Sequence, residues 1–273
     1  QFLYFIGRAA MAVLFSIIVP AYKEQGNLEP LTKRVTAAME KNGRDRSTFE
    51  IIIVDDNSRD GSEETVTALQ AEGYPVAIIV RTKERGLSSA VLAGFAAAKS
   101  DMILCMDADL QHPPEYVPKM FEALSQPAIE FTLGTRYGAG VAIDKDWPFH
   151  RRVISWGARI LARPLTPLSD PMSGFFALKK GVLNRGMSQV SPIGYKIALE
   201  LFVKCRVRNF NEVGFSFAAR TIGESKLTGK VIVHYLKHLR TLYAFKFGFM
   251  FIVFLFLLVA AFFFFCTVFA ARF

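Results

Sequence analysis

Four short runs in the first half of the chain, LFSIIVP (14–20), EIIIVDD (50–56), VAIIVR (76–81) and MILCMD (102–107), are apolar at successive positions rather than alternate ones. Strands covered on both faces read this way, because successive side chains point to opposite sides of a sheet. Helix-like segments over 28–42, 62–72 and 86–99 separate them, the second with Ser62 as the expected N-cap before Glu63 and Glu64. Strand alternating with helix predicts right-handed βαβ crossovers and a parallel sheet, which binds its ligands outside the carboxyl ends of the strands. The polar punctuation sits at those ends: Tyr22 and Glu24 after the first run, Asp55 and Asp56 at the second, Asp107 and Asp109 at the fourth. A single acidic end is explained by helix capping. Three on one edge describe a site.

The chemistry of that edge follows from charge. Two carboxylates one residue apart, as in Asp107-Ala108-Asp109, resist ionising together unless a cation lies between them. Hard oxygen ligands with open coordination positions suit Mg²⁺ or Mn²⁺ shared with ligand phosphates, with Ca²⁺ a third candidate, and Gln111 offers a further oxygen. His112, isolated beside Pro113 and Pro114, reads as a loop residue. VDDNSRDGS (54–62) has the composition of a strand-to-helix turn, in which Asp56 is free to meet a base or ribose and Asp55 is structural. No G-x-G-x-x-G follows the first run and no G-x-x-x-x-G-K-[ST] occurs, so dinucleotide and P-loop readings lose their main support.

Composition bears mainly on the C-terminal part. Hydrophobic residues make up 52% of the 273, and mean hydropathy is +0.28. The excess concentrates at 247–269, FGFMFIVFLFLLVAAFFFFCTVF, uncharged and long enough to cross a hydrocarbon core of about 30 Å. Lys226, Lys230, Lys237, Arg240 and Lys246 precede it with no acid after Glu224, which sets the cytoplasmic side and contributes to the net charge of +9. That placement favours a lipid bilayer over nucleic acid as the basic chain's partner. Three scattered cysteines in apolar surroundings point to a reducing compartment and no metal cage. Residues 1–10, apolar but interrupted by Arg8, read as an extension outside the fold.

The ordered set SIIVPAYKEQGNLEPL, VDDNSRDGS, RTKERGLSSAVLAGF, CMDADLQHPP, GTRYGAG, SDPMSGFFAL and GESKLTGK resembles the dolichol-phosphate mannosyltransferases of the large inverting GT-A glycosyltransferase family 2. The resemblance covers about 16 to 247, and it is to the single-subunit form, which has no obligate anchoring subunit. It implies a Rossmann-like GT-A domain over 11–229 with an interface helix near 147–163, an amphipathic helix at 230–246 and a transmembrane helix at 247–269. It also implies an endoplasmic reticulum location, with the domain facing the cytoplasm. The implied reaction moves mannose from GDP-mannose to dolichyl phosphate with inversion, the product being a mannose donor for N-glycosylation, O-mannosylation and GPI anchors. Pro20, Tyr22, Glu24, Val54 and Asp56 match positions around the guanosine. Asp107, Ala108 and Asp109 match the nucleotide-sugar segment, with Asp107, Asp109 and Gln111 on the metal. Arg136, Arg220 and Lys226 match basic residues around the phosphates. GFF at 174–176 stands where many relatives have GFR or SFR, and no phosphate contact is assigned there.

The acceptor arrives from a bilayer. WPFHRRVISWGARILARP (147–164) puts Phe149, Val153, Trp156 and Ile160 on one helical stripe among arginines. A helix packed on the sheet has the same pattern; the tryptophan and the arginines favour a membrane interface. Arg151 and Ser155, four apart on one face, match family positions for the lipid phosphate, together with Arg136. Asp109, Arg136 and Arg151 are then the catalytic candidates, and Asp170 is the rival as a general base. A UDP-glucose-dependent dolichyl-phosphate glucosyltransferase and a catalytically silent membrane scaffold are the competing readings. A processive polysaccharide synthase is disfavoured by one span and no Q-x-x-R-W. Protease added to sealed microsomes should digest the domain; protection of the domain with cleavage of an epitope placed after Phe273 would reverse the orientation.

Overall fold

β1 (Phe15–Ala21) is buried along its whole length and pairs in parallel with β2 (Phe49–Asp55) on one side and β4 (Met102–Cys105) on the other. A computed structural model describes residues 12–137, 149–191, 195–216, 229–248, 250, 253–254 and 256–258. β3 (Val76–Val80) extends the sheet beyond β2, and α1 (Gln25–Lys41), α2 (Ser62–Ala71) and α3 (Leu87–Ala97) are the crossovers. β1 is flanked by β2 on one side and β4 on the other, so the strand order reverses there. This is where α/β sheets open a ligand crevice.

The sheet has seven strands in the order β3-β2-β1-β4-β6-β5-β7, and it is mixed rather than all parallel. After α4 (Val117–Ser125), β5 (Phe131–Thr135) and α5 (Phe149–Ala162), the chain returns as β6 (Phe176–Lys179), antiparallel to both β4 and β5. The short α6 (Lys180–Leu183) and α7 (Ile197–Lys204) follow, then β7 (Phe210–Gly214), parallel to β5. The reversal has a consequence for the site. Cys105 lies opposite Phe176, so β6 begins where β4 ends and residues 173–175 stand beside Asp107.

Alternation along β1 feeds two cores. Phe15, Ile17 and Val19 pack with α1, α2 and α4 on one face; Ile18, with Ile52 and Val54 of β2, packs on the other face with α3 and α7. A smaller cluster of Ala162, Leu165, Leu199, Val203, Leu239 and Leu242 joins the end of α5 to α7 and α8 (Gly229–Phe247). α8 also grips α5 by its backbone. Tyr235 Oη donates to the Ala158 carbonyl at 2.7 Å, Tyr243 Oη to Leu161 at 2.8 Å, and Lys246 Nζ to Pro164 and Leu165. The Leu161 carbonyl is among the last four of α5, which lack intrahelical donors, and the bonds to Pro164 and Leu165 hold the turn that follows the helix. Trp156 is 59% exposed, and Ile160, Leu161, Ile232, Val233 and Leu236 are exposed with it.

Local details differ from the sequence reading. Ser62 is the first helical residue, not the cap. Gly61 takes the cap position at φ +93, and the Asp60 carboxylate accepts from both Ser62 N–H and Oγ. α1 begins at Gln25, and β4 stops at Cys105, so Asp107 already stands in the loop. Residues 1–10 lie outside the described residues, as does most of 247–269. Among the described residues no helix is long and apolar enough to cross a membrane.

α3 lies close against the sheet at Gly94, where a Cβ would stand 2.2 Å from Ile18 Cγ2 and 3.1 Å from Val54 Cγ2. Gly94→Ala is expected to cost about 1–3 kcal/mol by overpacking, despite alanine's better helix propensity. The drop in urea midpoint should shrink when Ile18→Ala is present; additive effects would place the clash elsewhere.

Candidate active site

The loop after β4 is held by its own backbone. Asp107 N–H donates to His112 Nδ1 at 3.0 Å, and Gln111 N–H to Asp109 Oδ1 at 3.2 Å, with Leu110 between them in the left-handed region at φ +61. The two carboxylates differ in environment. Asp109 is buried, while the Asp107 side chain is 42% exposed at the mouth of the crevice. Across from it stands Gly174, where a Cβ would lie 3.3 and 3.4 Å from the two Asp107 oxygens. A side chain there would fill the space in front of the carboxylate.

His112 is a loop residue, as its sequence context implies, but it is buried and acts as a strut. Its ring stacks on Phe175 with centroids 5.2 Å apart and meets the edge of Phe215 at 5.7 Å. Accepting the Asp107 N–H requires the neutral ring with its proton on Nε2. Burial pushes its pKa below the usual histidine range, against the opposing pull of Asp107 and Asp109.

Arg136 follows β5 and is fastened to Asp170 in a two-pronged pair, Nε to Oδ2 at 2.7 Å and Nη2 to Oδ1 at 3.0 Å. Asp170 Oδ2 also accepts the Arg136 N–H at 3.3 Å. Burial opposes the charged guanidinium, but the Asp170 contact outweighs it and the Arg136 pKa is raised. Lys196, which precedes α7, donates to the Met172 carbonyl at 2.8 Å; burial and then Arg136 lower its pKa, while Asp107 and Asp170 pull it back. Two cations thus stand within the electrostatic reach of Asp107. Sequence reasoning missed Lys196, a lone lysine before an apolar helix that carries no motif.

The ends of β1 and β2 form the other half of the crevice. Pro20 and Val54 are register partners, both buried. Asp55 accepts from Ser58 N–H at 2.7 Å and from its hydroxyl, which is the structural role expected of it. Asp56 is less open than a ligand-facing carboxylate was expected to be. Arg81 Nε and Nη2 both donate to Oδ1, and Gly86 N–H donates to Oδ2 at 2.7 Å, which fixes the loop before α3. Oδ2 keeps acceptor capacity toward a donor in the crevice. Tyr22 is partly exposed, with the Arg85 guanidinium 5.6 Å and the Lys23 ammonium 5.7 Å from its ring centre. Glu24 accepts from Asn27 Nδ2 at 2.7 Å, and Ala108 is buried.

The structure therefore gathers Pro20, Tyr22, Glu24, Val54, Asp56, Asp107, Ala108, Asp109, Gln111 and Arg136 along one sheet edge. Ser155 of α5 joins them through Tyr137, whose Oη lies 3.3 Å from Ser155 Oγ, and the Arg159 guanidinium sits 4.2 Å from that ring's centre. Arg151 belongs to α5, one turn before Ser155. Arg220 and Lys226 lie outside the described residues. Among the described residues no three His, Cys, Asp or Glu side chains form a self-sufficient metal cage. Paired carboxylates facing an arginine and a lysine suit a polyphosphate gripped partly through a cation.

Comparison with known proteins fits this geometry. Residues 16–186 match the family model of glycosyl transferase family 2. The chain is 57% identical over 244 residues to the dolichol-phosphate mannosyltransferase of Saccharomyces cerevisiae, covering 87% of this chain and 90% of that protein. It is likewise 57% identical over 242 residues to that of Mycosarcoma maydis, covering 88% and 82%. Among solved structures, glucosyl-3-phosphoglycerate synthase from Mycobacterium tuberculosis, in complex with Mg²⁺ and UDP, superposes with a TM-score of 0.62 at 18% identity, covering 86% of this chain and 79% of that one. At that identity the likeness shows a shared GT-A-like fold.

The His112 strut makes a pH prediction. Its folded pKa lies below its unfolded value near 6.5, so the unfolded chain binds more protons below that point. The stabilisation is complete above about pH 6.5 and is lost as pH falls from there toward the folded value. His112→Gln, which keeps an acceptor for the Asp107 N–H, should flatten the stability profile between pH 7 and 5. An unchanged slope in urea titrations would remove His112 as its source.

Proposed function

The chain belongs to glycosyl transferase family 2, and on that premise we propose that it transfers mannose from GDP-mannose to dolichyl phosphate with inversion, releasing GDP. The observation that carries this reading is the juxtaposition of the half-exposed Asp107 with Arg136, an arginine anchored by Asp170 and linked through Tyr137 to Ser155 on a helix with exposed apolar residues. One end of that array suits a nucleoside diphosphate sugar and the other a lipid phosphate.

Asp107 and Asp109, with Gln111, are the residues that would hold a divalent cation, Mg²⁺ or Mn²⁺. The space kept open by Gly174 in front of Asp107 fits that role. When bound, such an ion neutralises charge on a departing diphosphate. Pro20, Tyr22, Glu24, Val54 and Asp56 bound the nucleoside. Arg136 and Lys196, with Arg220 and Lys226, offset the negative charge of donor and acceptor phosphates in a partly water-excluded cleft. Ser155 and Arg151 position the acceptor.

The acceptor's own chemistry removes the need for a base. A phosphate monoester with a second pKa near 6 is largely dianionic at pH 7 and already nucleophilic. Asp170 is 1% exposed and both its oxygens are engaged by Arg136, so its place in the mechanism is to position that arginine.

The membrane placement belongs to the same reading. The run 247–269 forms the span in the endoplasmic reticulum membrane, with the domain on the cytoplasmic side and no anchoring subunit. The exposed apolar residues of α5 and α8 support it, since such faces lie in a bilayer interface.

Purified protein given dolichyl phosphate should turn over GDP-mannose and not UDP-glucose; the reverse preference overturns the donor. Asp109→Asn and EDTA should each reduce transfer by roughly a hundredfold or more, and full activity under either removes the metal. Arg151→Ala should raise the dolichyl-phosphate KM about tenfold or more, the worth of a charge-assisted hydrogen bond, with GDP-mannose affinity nearly unchanged. Asp170→Asn should retain substantial transfer in its folded fraction. If it folds normally and binds both substrates yet loses transfer by several orders of magnitude, a base is required.

A further inference from the structure

The opposite edge of the sheet carries a groove that the reaction above does not use. It is formed by the turn after α5, the end of α7 and the segment following it, and the end of α8, with a volume of about 450 Å³. That size falls among small-molecule sites. Phe202, Val203 and Phe245 line its apolar part, and Arg206, Arg208 and Lys246 are its cations.

Among the described residues these charges have no acidic partner. Arg206 and Arg208 are exposed, and neither side chain makes an ion pair among the described residues. Glu130, whose Oε2 accepts the Arg208 N–H at 3.0 Å, has its Oε1 on Arg185 at 2.8 Å. The neighbouring Lys204 is enclosed with Glu200 at 2.6 Å. Among the described residues Lys246 Nζ meets no carboxylate: it donates to the carbonyls of Pro164 and Leu165, at 2.9 and 3.0 Å, and lies 5.5 Å from the centre of the Phe247 ring.

The turn that presents Arg206 would be better served by another residue. α7 ends in a Schellman arrangement, Val207 N–H on the Phe202 carbonyl at 3.1 Å and Arg206 N–H on Val203 at 3.2 Å, with Arg206 at φ +51. Glycine is the residue such a turn favours. The backbone therefore does not account for a guanidinium at this corner of the groove.

The dolichyl phosphate headgroup cannot be the occupant. Arg208 precedes β7, which runs parallel to β5 and β4, so the groove opens at the amino edge while Asp107 and Arg136 stand at the carboxyl edge. A five-residue strand separates the two by roughly 15 Å. Lys246 stands immediately before the run that starts at 247, and α5 beside it exposes Trp156 and Ile160. On the membrane placement proposed above, the groove faces the headgroup layer. We propose that it binds an anionic glycerophospholipid of the host bilayer. The lipid phosphate lies against Arg206 and Arg208, and the glycerol and first acyl carbons cover Pro167, Val207 and Phe245, above a floor of buried Phe202 and Val203. A soluble phosphate would satisfy the charges and leave that apolar surface wet.

The test uses the full chain in phosphatidylcholine nanodiscs with a trace of photoactivatable phosphatidylserine. Label is expected on peptides spanning 202–208 and 245–246, at least fivefold above that from a phosphatidylcholine probe of the same chains. It should fall at least fivefold in Arg206→Gly/Arg208→Gln, a pair in which the glycine suits the turn. Label on the α5 peptide from both probes reports that this face meets lipid. Equal labelling by the two probes, indifference to the double substitution, or displacement by millimolar glycerol 3-phosphate overturns the proposal. Mannose transfer in detergent by the double variant should match wild type, which shows that it is folded. Wild type that labels in the groove but transfers no mannose sinks the reaction alone; wild type that transfers mannose but does not label sinks the groove alone.

Discussion

Carboxylates gathered at one edge of a sheet repel one another, and the way each is disarmed organises this molecule. Asp55 is tied to Ser58, Asp56 to Arg81 and Gly86, and Asp170 to Arg136. Each tie also fixes a piece of chain: the turn before α2, the loop before α3, and the arginine after β5. Asp107 is treated differently. Its backbone is held by His112 while its side chain stays half exposed, so the residual negative potential is focused at one point in the crevice. The fold thereby ties three of these acids into its architecture and leaves the Asp107 side chain open to the crevice.

The reversed strand β6 makes that arrangement possible. Because it starts beside the end of β4, it delivers Gly174 to the front of Asp107 and Phe175 to the face of His112. Phe175 also fills the space over Gly134 of β5, where a Cβ would meet its ring at 2.5 Å. One short segment therefore sets the floor of the crevice and the spacing between the strands that carry Asp107 and Arg136.

What was readable in the sequence divides along the range of the interactions. The first four strands and the acidic ends of β1, β2 and β4 were legible because continuous apolar runs and turn residues are local signals. The direction of β6 was not, since its four residues pair by long-range register alone. Local pattern also misled at Ser62, where Asp60 and Gly61 take over the cap. Asp56 looked available because its partner Arg81 lies 25 residues away. His112 looked incidental because the rings that stack on it come from 175 and 215. The anchoring of Arg136 by Asp170 likewise joins segments 34 residues apart, so neither residue's local sequence announces the pair.

The grip of α8 on α5 and the turn after it falls on carbonyl oxygens, through Tyr235 and Tyr243 on the helix and Lys246 on the turn. A backbone oxygen is present whatever side chain the residue carries. The outward face of α5 is therefore free to drift in sequence, exchanging Trp156 or Ile160 for other apolar groups, while the helix keeps its seat. Such a design separates two tasks during evolution: the inner contacts preserve the distance from Ser155 to Tyr137, and the outer surface can exchange its side chains without disturbing that distance.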